Sequence, residues 1–235
     1  MASVSRTRIS RLGSRGQPEE SRAAILHAAA KEFAEYGVAG ARTDAIARQA
    51  NVNKALLYYY FKDKDTLYGA VLENAFAGLK EAVFQVLNSE LPSRAKILAY
   101  VRTYFDFIAS HQDYPKLMQR EMMRAREGKS QHLERLIKQY IQPLFVRLSQ
   151  VLQEGIKEGE FRNVDPVHFV PSMVAMIVFY FSSAPVMKKI IGFNPLTPER
   201  VAERRAAVQD FIAAALFRTP KANASGRQGA RHECA

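Results

Sequence analysis

Three observations predict an all-α fold. Every segment with hydrophobic periodicity repeats at the helical spacing, and none alternates as a half-buried strand would. Helix-start signals recur: Thr43 and Asp63 are capping residues, and Asp165-Pro166 and Thr197-Pro198 pair a capping residue with proline at the first helical position. Gly37 and Leu91-Pro92 punctuate the periodic runs. The expected architecture is a small N-terminal module of three helices, joined by a fourth to a larger C-terminal helical bundle, about nine helices in all.

Taken in order, a first helix over 18–36 puts Ile25, Ala29, Phe33 and Tyr36 on one stripe, and Gly37 ends it. Thr43 caps a second helix, 44–50, with Asp44 favourable in its first turn. A third follows at 54–60, and Asp63 caps a long helix to about 88. Longer helices then span 94–111, 114–126, 131–158, 166–187 and 198–217, with Pro143 kinking the third of these. Residues 1–16, rich in Ser, Arg and Gly, and residues 219–235 have the composition of disordered segments. The expected division is a basic arm at 1–16, a head at 17–64, a body at 65–218 and a tail at 219–235.

The chain has 235 residues, 48% of them hydrophobic, and a formal charge of +11. A strongly basic chain favours acidic partners, nucleic acid first. Residues 1–16 carry +4 and residues 218–235 carry +3, however, whereas residues 17–64 balance seven basic against six acidic side chains. Charge therefore does not locate a DNA-binding element; a motif must. Cys234 is the one cysteine, so no disulfide, zinc site or thiol nucleophile is expected, as suits a reducing cytoplasm. The five histidines have no metal-ligand spacing. No cofactor is expected, and no triad, phosphate loop or paired carboxylates suggest an enzyme. No apolar segment follows Arg6–Arg15 as in a secretory signal. Phe169–Met187 is uncharged over 19 residues, but Pro171, Ser172, Ser182, Ser183 and Pro185 interrupt it, so a buried interface helix is expected and no membrane span.

Residues 43–64, TDAIARQANVNKALLYYYFKDK, have the layout of a helix-turn-helix. Ile46 and Ala47 face inward, Ala50-Asn51-Val52 makes the turn, and Val52 and Leu57 anchor the second helix. Four consecutive aromatics, Tyr58–Phe61, exceed what three short helices can bury. Tyr60 and Phe61 are expected to pack inward, and Tyr58 and Tyr59 to face out.

Thr43, Ile46, Ala47, Ala50, Val52, Lys54, Leu57, Tyr58, Tyr60, Phe61, Lys64 and Leu67 match the motif of the tetracycline-repressor (TetR) family, which this stretch closely resembles. Asn51 replaces its usual glycine, asparagine being the next-best residue for positive φ; Asn53 replaces its serine and keeps a polar cap for the recognition helix; and Leu56 replaces a small hydroxyl residue that often reaches phosphate. The resemblance implies a transcription regulator that binds a double-stranded DNA operator as a homodimer. It assigns phosphate contacts to Thr43, Tyr59 and Lys64, and base edges or flanking phosphates to Asn53, Lys54, Ala55 and Tyr58. Leu56 becomes a candidate for a thymine methyl, and the basic arm for the minor groove or for solvent.

The resemblance also implies a body that dimerises and encloses a small apolar or amphipathic effector whose binding releases the operator. Met173, Ile177 and Phe181, with Val208, Phe211 and Ile212, are the candidate dimer contacts. Tyr104, His111, Met118, Glu121 and Met122 are the candidate effector contacts, Glu121 having a structural ion pair as its other reading. The alternative function keeps the DNA-binding head but lets the body dock a protein partner and bind no small effector.

Overall fold

A computed structural model describes residues 18–218. The basic arm, the C-terminal tail and Cys234 lie outside the described residues. Helices α1 (Pro18–Gly40), α2 (Thr43–Gln49) and α3 (Lys54–Tyr60) form the head, and α4 (Lys64–Leu87) runs from it into the body. The body contains α5 (Ser93–Ser110), α6 (Asp113–Arg126), α7 (Leu133–Leu136), a π-helical turn (Ile137–Ile141), α8 (Gln142–Lys157), α9 (Pro166–Ser182), α10 (Ala184–Ile191) and α11 (Pro198–Leu216). The only β pairing among the described residues is an isolated bridge between Phe161 and Phe217.

Several starts form as expected. Asp63 accepts a hydrogen bond from the Thr66 N–H at 2.7 Å, Asp165 from Val167 at 2.9 Å, and Thr197 from Arg200 at 3.5 Å. Gly37 takes φ 67°, which breaks the axis of α1, but one more turn continues to Gly40. Thr43 is not a cap: Arg42 holds the cap position without a side-chain bond, and Thr43 is the first helical residue.

Two long expected helices are broken, each beside a proline. Between 131 and 158 the helix starts at Leu133 and widens into the π turn just ahead of Pro143. Proline has no N–H for the Gln139 carbonyl, and the Lys80 ammonium supplies the missing donor at 2.9 Å. Within 166–187 the chain bends by 68° between α9 and α10, where Pro185 opens the second segment. No single described helix is long and apolar enough to cross a membrane; that bent pair alone passes by length and composition.

α4 is the common wall. Leu67, Tyr68, Val71 and Leu72 are buried at its head end, and Phe76, Leu79, Val83 and Leu87 farther along. Gly69 lets the loop before α7 approach: a Cβ there would stand 2.6 Å from the His132 ring. Gly69→Ala therefore displaces His132, and about 1–3 kcal/mol of stability should be lost, visible as an earlier urea midpoint with an unchanged slope.

Candidate functional site

The turn between α2 and α3 is built from backbone bonds. The Val52 N–H reaches the Ala47 carbonyl at 2.9 Å, and Asn51 takes φ 54°, the only positive φ of a non-glycine among the described residues. The Asn53 side chain accepts from the Leu56 N–H at 2.6 Å and caps α3. Ile46, Ala47, Leu57 and Phe61 are buried beneath, and Val52, Leu56 and Tyr60 are half-buried. Tyr60 also donates its hydroxyl to the Pro18 carbonyl at 2.9 Å.

What remains outward is a compact polar and aromatic face. Asn53, Lys54, Ala55, Tyr58 and Tyr59 are exposed, and Tyr59 keeps 80% of its surface free. Half-buried Thr43 contributes through its hydroxyl, 3.3 Å from that of Tyr58. The Lys54 ammonium lies 2.9 Å from Asp44. Hydrogen bonding to Lys54, then its charge, holds the Asp44 carboxyl below its usual range, and the same pairing raises the Lys54 ammonium. These two links stitch the start of α2 to α3.

Lys64 lies elsewhere. Its ammonium donates to the Ala39 and Ala41 carbonyls at 3.2 and 3.1 Å, securing the α1–α2 connection. Reading the sequence missed Arg42 and Arg48, exposed cations that border Asp44 and also lower its carboxyl. Their spacing along α2 carried a signal, but the stripe of the recognition helix drew the assignment to α3.

A polar joint connects head and body. Arg120 on α6 donates to the Ala34 and Glu35 carbonyls of α1 at 2.9 and 2.6 Å, just before Gly37. Arg124 bonds Asp65 in the first turn of α4 at 2.9 Å, and His132 lies 3.1 Å from the same carboxylate. Glu121 is fully buried; it accepts from the Ser130 hydroxyl and pairs with Arg124 at 3.6 Å, too long for a hydrogen bond.

The candidate effector contacts are not gathered in one place. Tyr104 is buried with its ring beside that of Tyr100, and Met118 is partly buried against the core. His111 is exposed, stacked on Phe107 at 4.2 Å. Met122, expected on the apolar arc of α6, is exposed. The candidate dimer contacts divide too. Met173, Ile177, Phe181, Val208 and Ile212 are buried in this chain's own core, whereas Phe211 is 62% exposed. The outward apolar groups of α9 are instead Val167 and Phe179. An uncharged helix gives no sign of which side its own bundle will cover.

A helix-turn-helix head with an exposed recognition face, carried on a helical body, defines a DNA-binding transcription regulator. The family model described as "Bacterial regulatory proteins, tetR family" matches residues 25–71, and that described as "Tetracyclin repressor-like, C-terminal domain" matches residues 94–212. The transcriptional repressor SCO4008 of Streptomyces coelicolor is 28% identical over 175 residues, 74% of this chain and 84% of that protein. The putative transcriptional regulator SCO4942 of the same species superposes with a TM-score of 0.64 at 27% identity, covering 83% of this chain and 97% of its own. The fold is shared at 17% identity by the ketosteroid transcriptional regulator KstR2 of Mycobacterium tuberculosis, TM-score 0.69, over 90% of this chain and all of that one. The chain belongs to the TetR family, and it is a DNA-binding transcription regulator.

Asn53→Ala removes the cap of α3 and leaves the Leu56 N–H without its partner. Chemical denaturation should show a loss of about 1 kcal/mol; an unchanged midpoint would mean that the tertiary contacts of Leu57 alone hold the recognition helix.

Proposed function

We propose that the chain is a cytoplasmic homodimeric repressor that leaves its operator when a small apolar or amphipathic molecule enters the helical body. The observation that carries this reading is the α3 face: side chains that solvent surrounds, held rigidly by a capped turn and by links to Thr43 and Asp44. Asn53, Lys54, Ala55 and Tyr58 are assigned to base edges or flanking phosphates, and Thr43 and Tyr59 to phosphates. Lys64, whose ammonium holds two carbonyls, acts there by fixing the end of α1 rather than as a free phosphate ligand. The head at 17–64 and the body at 65–218 are the proposed functional units.

Dimerisation is assigned to the outer faces of α9 and α11. Phe179 and Phe211 stand out from these neighbouring helices, and exposed Ala175, Ala207 and Ala214 leave room for a partner's side chains. Two heads so joined read two half-sites, which supplies the specificity one short helix lacks. Release requires the effector to bind the DNA-incompetent arrangement more tightly than the competent one.

Tyr58→Ala combined with Lys54→Ala should abolish protection of a DNA fragment carrying the protein's own promoter while the circular dichroism melt stays that of the parent. Retained footprinting would overturn the assignment of α3. Asp44→Asn frees Lys54 from its carboxylate, so affinity at low salt should rise, and the slope of log K against log salt should steepen by about one unit. A slope unchanged by Asp44→Asn would place Lys54 away from the phosphates.

A further inference from the structure

Two carboxylates are buried among the described residues, those of Glu121 and Glu32. Glu121 is answered by the Ser130 hydroxyl and by Arg124. Glu32, on α1 and only 6% exposed, has no cation within ion-pair distance among the described residues. Its partner is a backbone group: Oε1 accepts the Arg42 N–H at 3.0 Å. A buried charge is costly, and an apolar side chain would fill the same space without that cost. The carboxylate therefore has its use at the start of α2.

Arg42 is the N-cap residue of α2 and brings no side-chain cap. In a capping box the N-cap N–H is taken by a Glu or Gln at the third helical position. Here that position is Ala45, which has no acceptor. Glu32 does the same from ten residues earlier. Between them Gly37, with φ 67°, breaks the axis of α1, so α2 does not inherit its direction from the helix before it. The bond across this break is charge-assisted, roughly twice as strong as a neutral one. What it holds adjoins the recognition face. Thr43, next after Arg42, meets the Tyr58 hydroxyl at 3.3 Å, and Asp44 holds the Lys54 ammonium at 2.9 Å.

We propose that Glu32 is a positioning residue for operator recognition: its carboxylate fixes the Arg42 backbone and, through Thr43 and Asp44, sets where Tyr58 and Lys54 stand on the duplex. The inference rests on the α3 reading above and extends it to a buried residue that does not touch DNA. Its effect falls on specific binding. Non-specific binding needs only cations near phosphates, whereas base edges and defined phosphates need side chains in a fixed register. Arg120 grips α1 at the Ala34 and Glu35 carbonyls, just beyond Glu32, so the same bond also ties the recognition face to the body.

The test compares Glu32→Gln with Glu32→Met in the full chain, on the duplex that the parent selects from a random pool and on a scrambled duplex of equal length. Both variants remove the same charge and nearly conserve volume, and only glutamine keeps an oxygen for the Arg42 N–H. Glu32→Gln should keep the ratio of specific to non-specific affinity within about threefold of the parent. Glu32→Met should lower it about tenfold or more, with non-specific affinity within about twofold of the Gln variant. Equal ratios in the two variants would overturn the proposal. So would a Met variant that melts earlier yet discriminates as the parent does, since the bond would then serve stability alone. If Glu32→Met fails to fold, Glu32→Asp takes its place, because it keeps the charge and withdraws the oxygen by one methylene. Its discrimination should fall, and parent-like discrimination would overturn the proposal. Tyr58→Ala combined with Lys54→Ala, measured alongside, separates the two readings. Discrimination kept by that pair and lost by Glu32→Met would overturn the α3 assignment and leave Glu32 as the residue that positions α2.

Discussion

Burial along α4 is the constraint on which the remainder of the molecule depends. Its first turns place Leu67, Tyr68, Val71 and Leu72 in the core shared with α1, and its later turns place Phe76, Leu79, Val83 and Leu87 against the body. Each fully buried side chain of this size contributes roughly 1.5–3 kcal/mol by leaving water. The head has one long helix and two short ones, and α4 closes its core. Part of its stability therefore comes from a helix that also belongs to the body.

That shared helix is fixed in direction by polar groups rather than by apolar contact alone. Asp65 in its first turn receives Arg124 and His132, and Arg120, one turn earlier on α6, grips the carbonyls at the end of α1. α6 thus touches α1 and α4, and Tyr114 in its first turn packs on the Phe76 ring of α4. On the proposed reading, an effector that shifts α6 pulls directly on both helices that carry the head. Hydrogen bonds and ion pairs with defined geometry transmit such a shift better than an adaptable apolar contact would. A coupling of roughly 1–3 kcal/mol, typical of linked sites, is within what a few such bonds supply.

The recognition face illustrates how exposure is bought locally. Four consecutive aromatics would normally aggregate or bury; here Phe61 and Tyr60 turn inward, the latter onto Pro18, so that Tyr58 and Tyr59 are left outside. Asn53 and Asn51 allow this, the first by capping α3 and the second by tolerating the left-handed turn that sets its angle. The Lys54 ammonium is held by the Asp44 carboxylate.

Much was legible in the residue order because its causes are local. Helix starts at Asp63, Asp165 and Thr197, the positive φ at Asn51 and the cap at Asn53 follow from chemistry acting over three or four residues. Tertiary packing decided the rest. It drew Thr43 onto Tyr58 instead of a cap, buried Met173, Ile177, Phe181, Val208 and Ile212 in their own chain, and left Met122 and His111 outside. It also gave Lys64 to two carbonyls and joined Glu121 to Ser130 and Arg124. Periodicity reports that a helix has an apolar side. Which neighbour covers that side, and which distant group meets a charge, depends on contacts between residues tens of positions apart, and no local pattern encodes them.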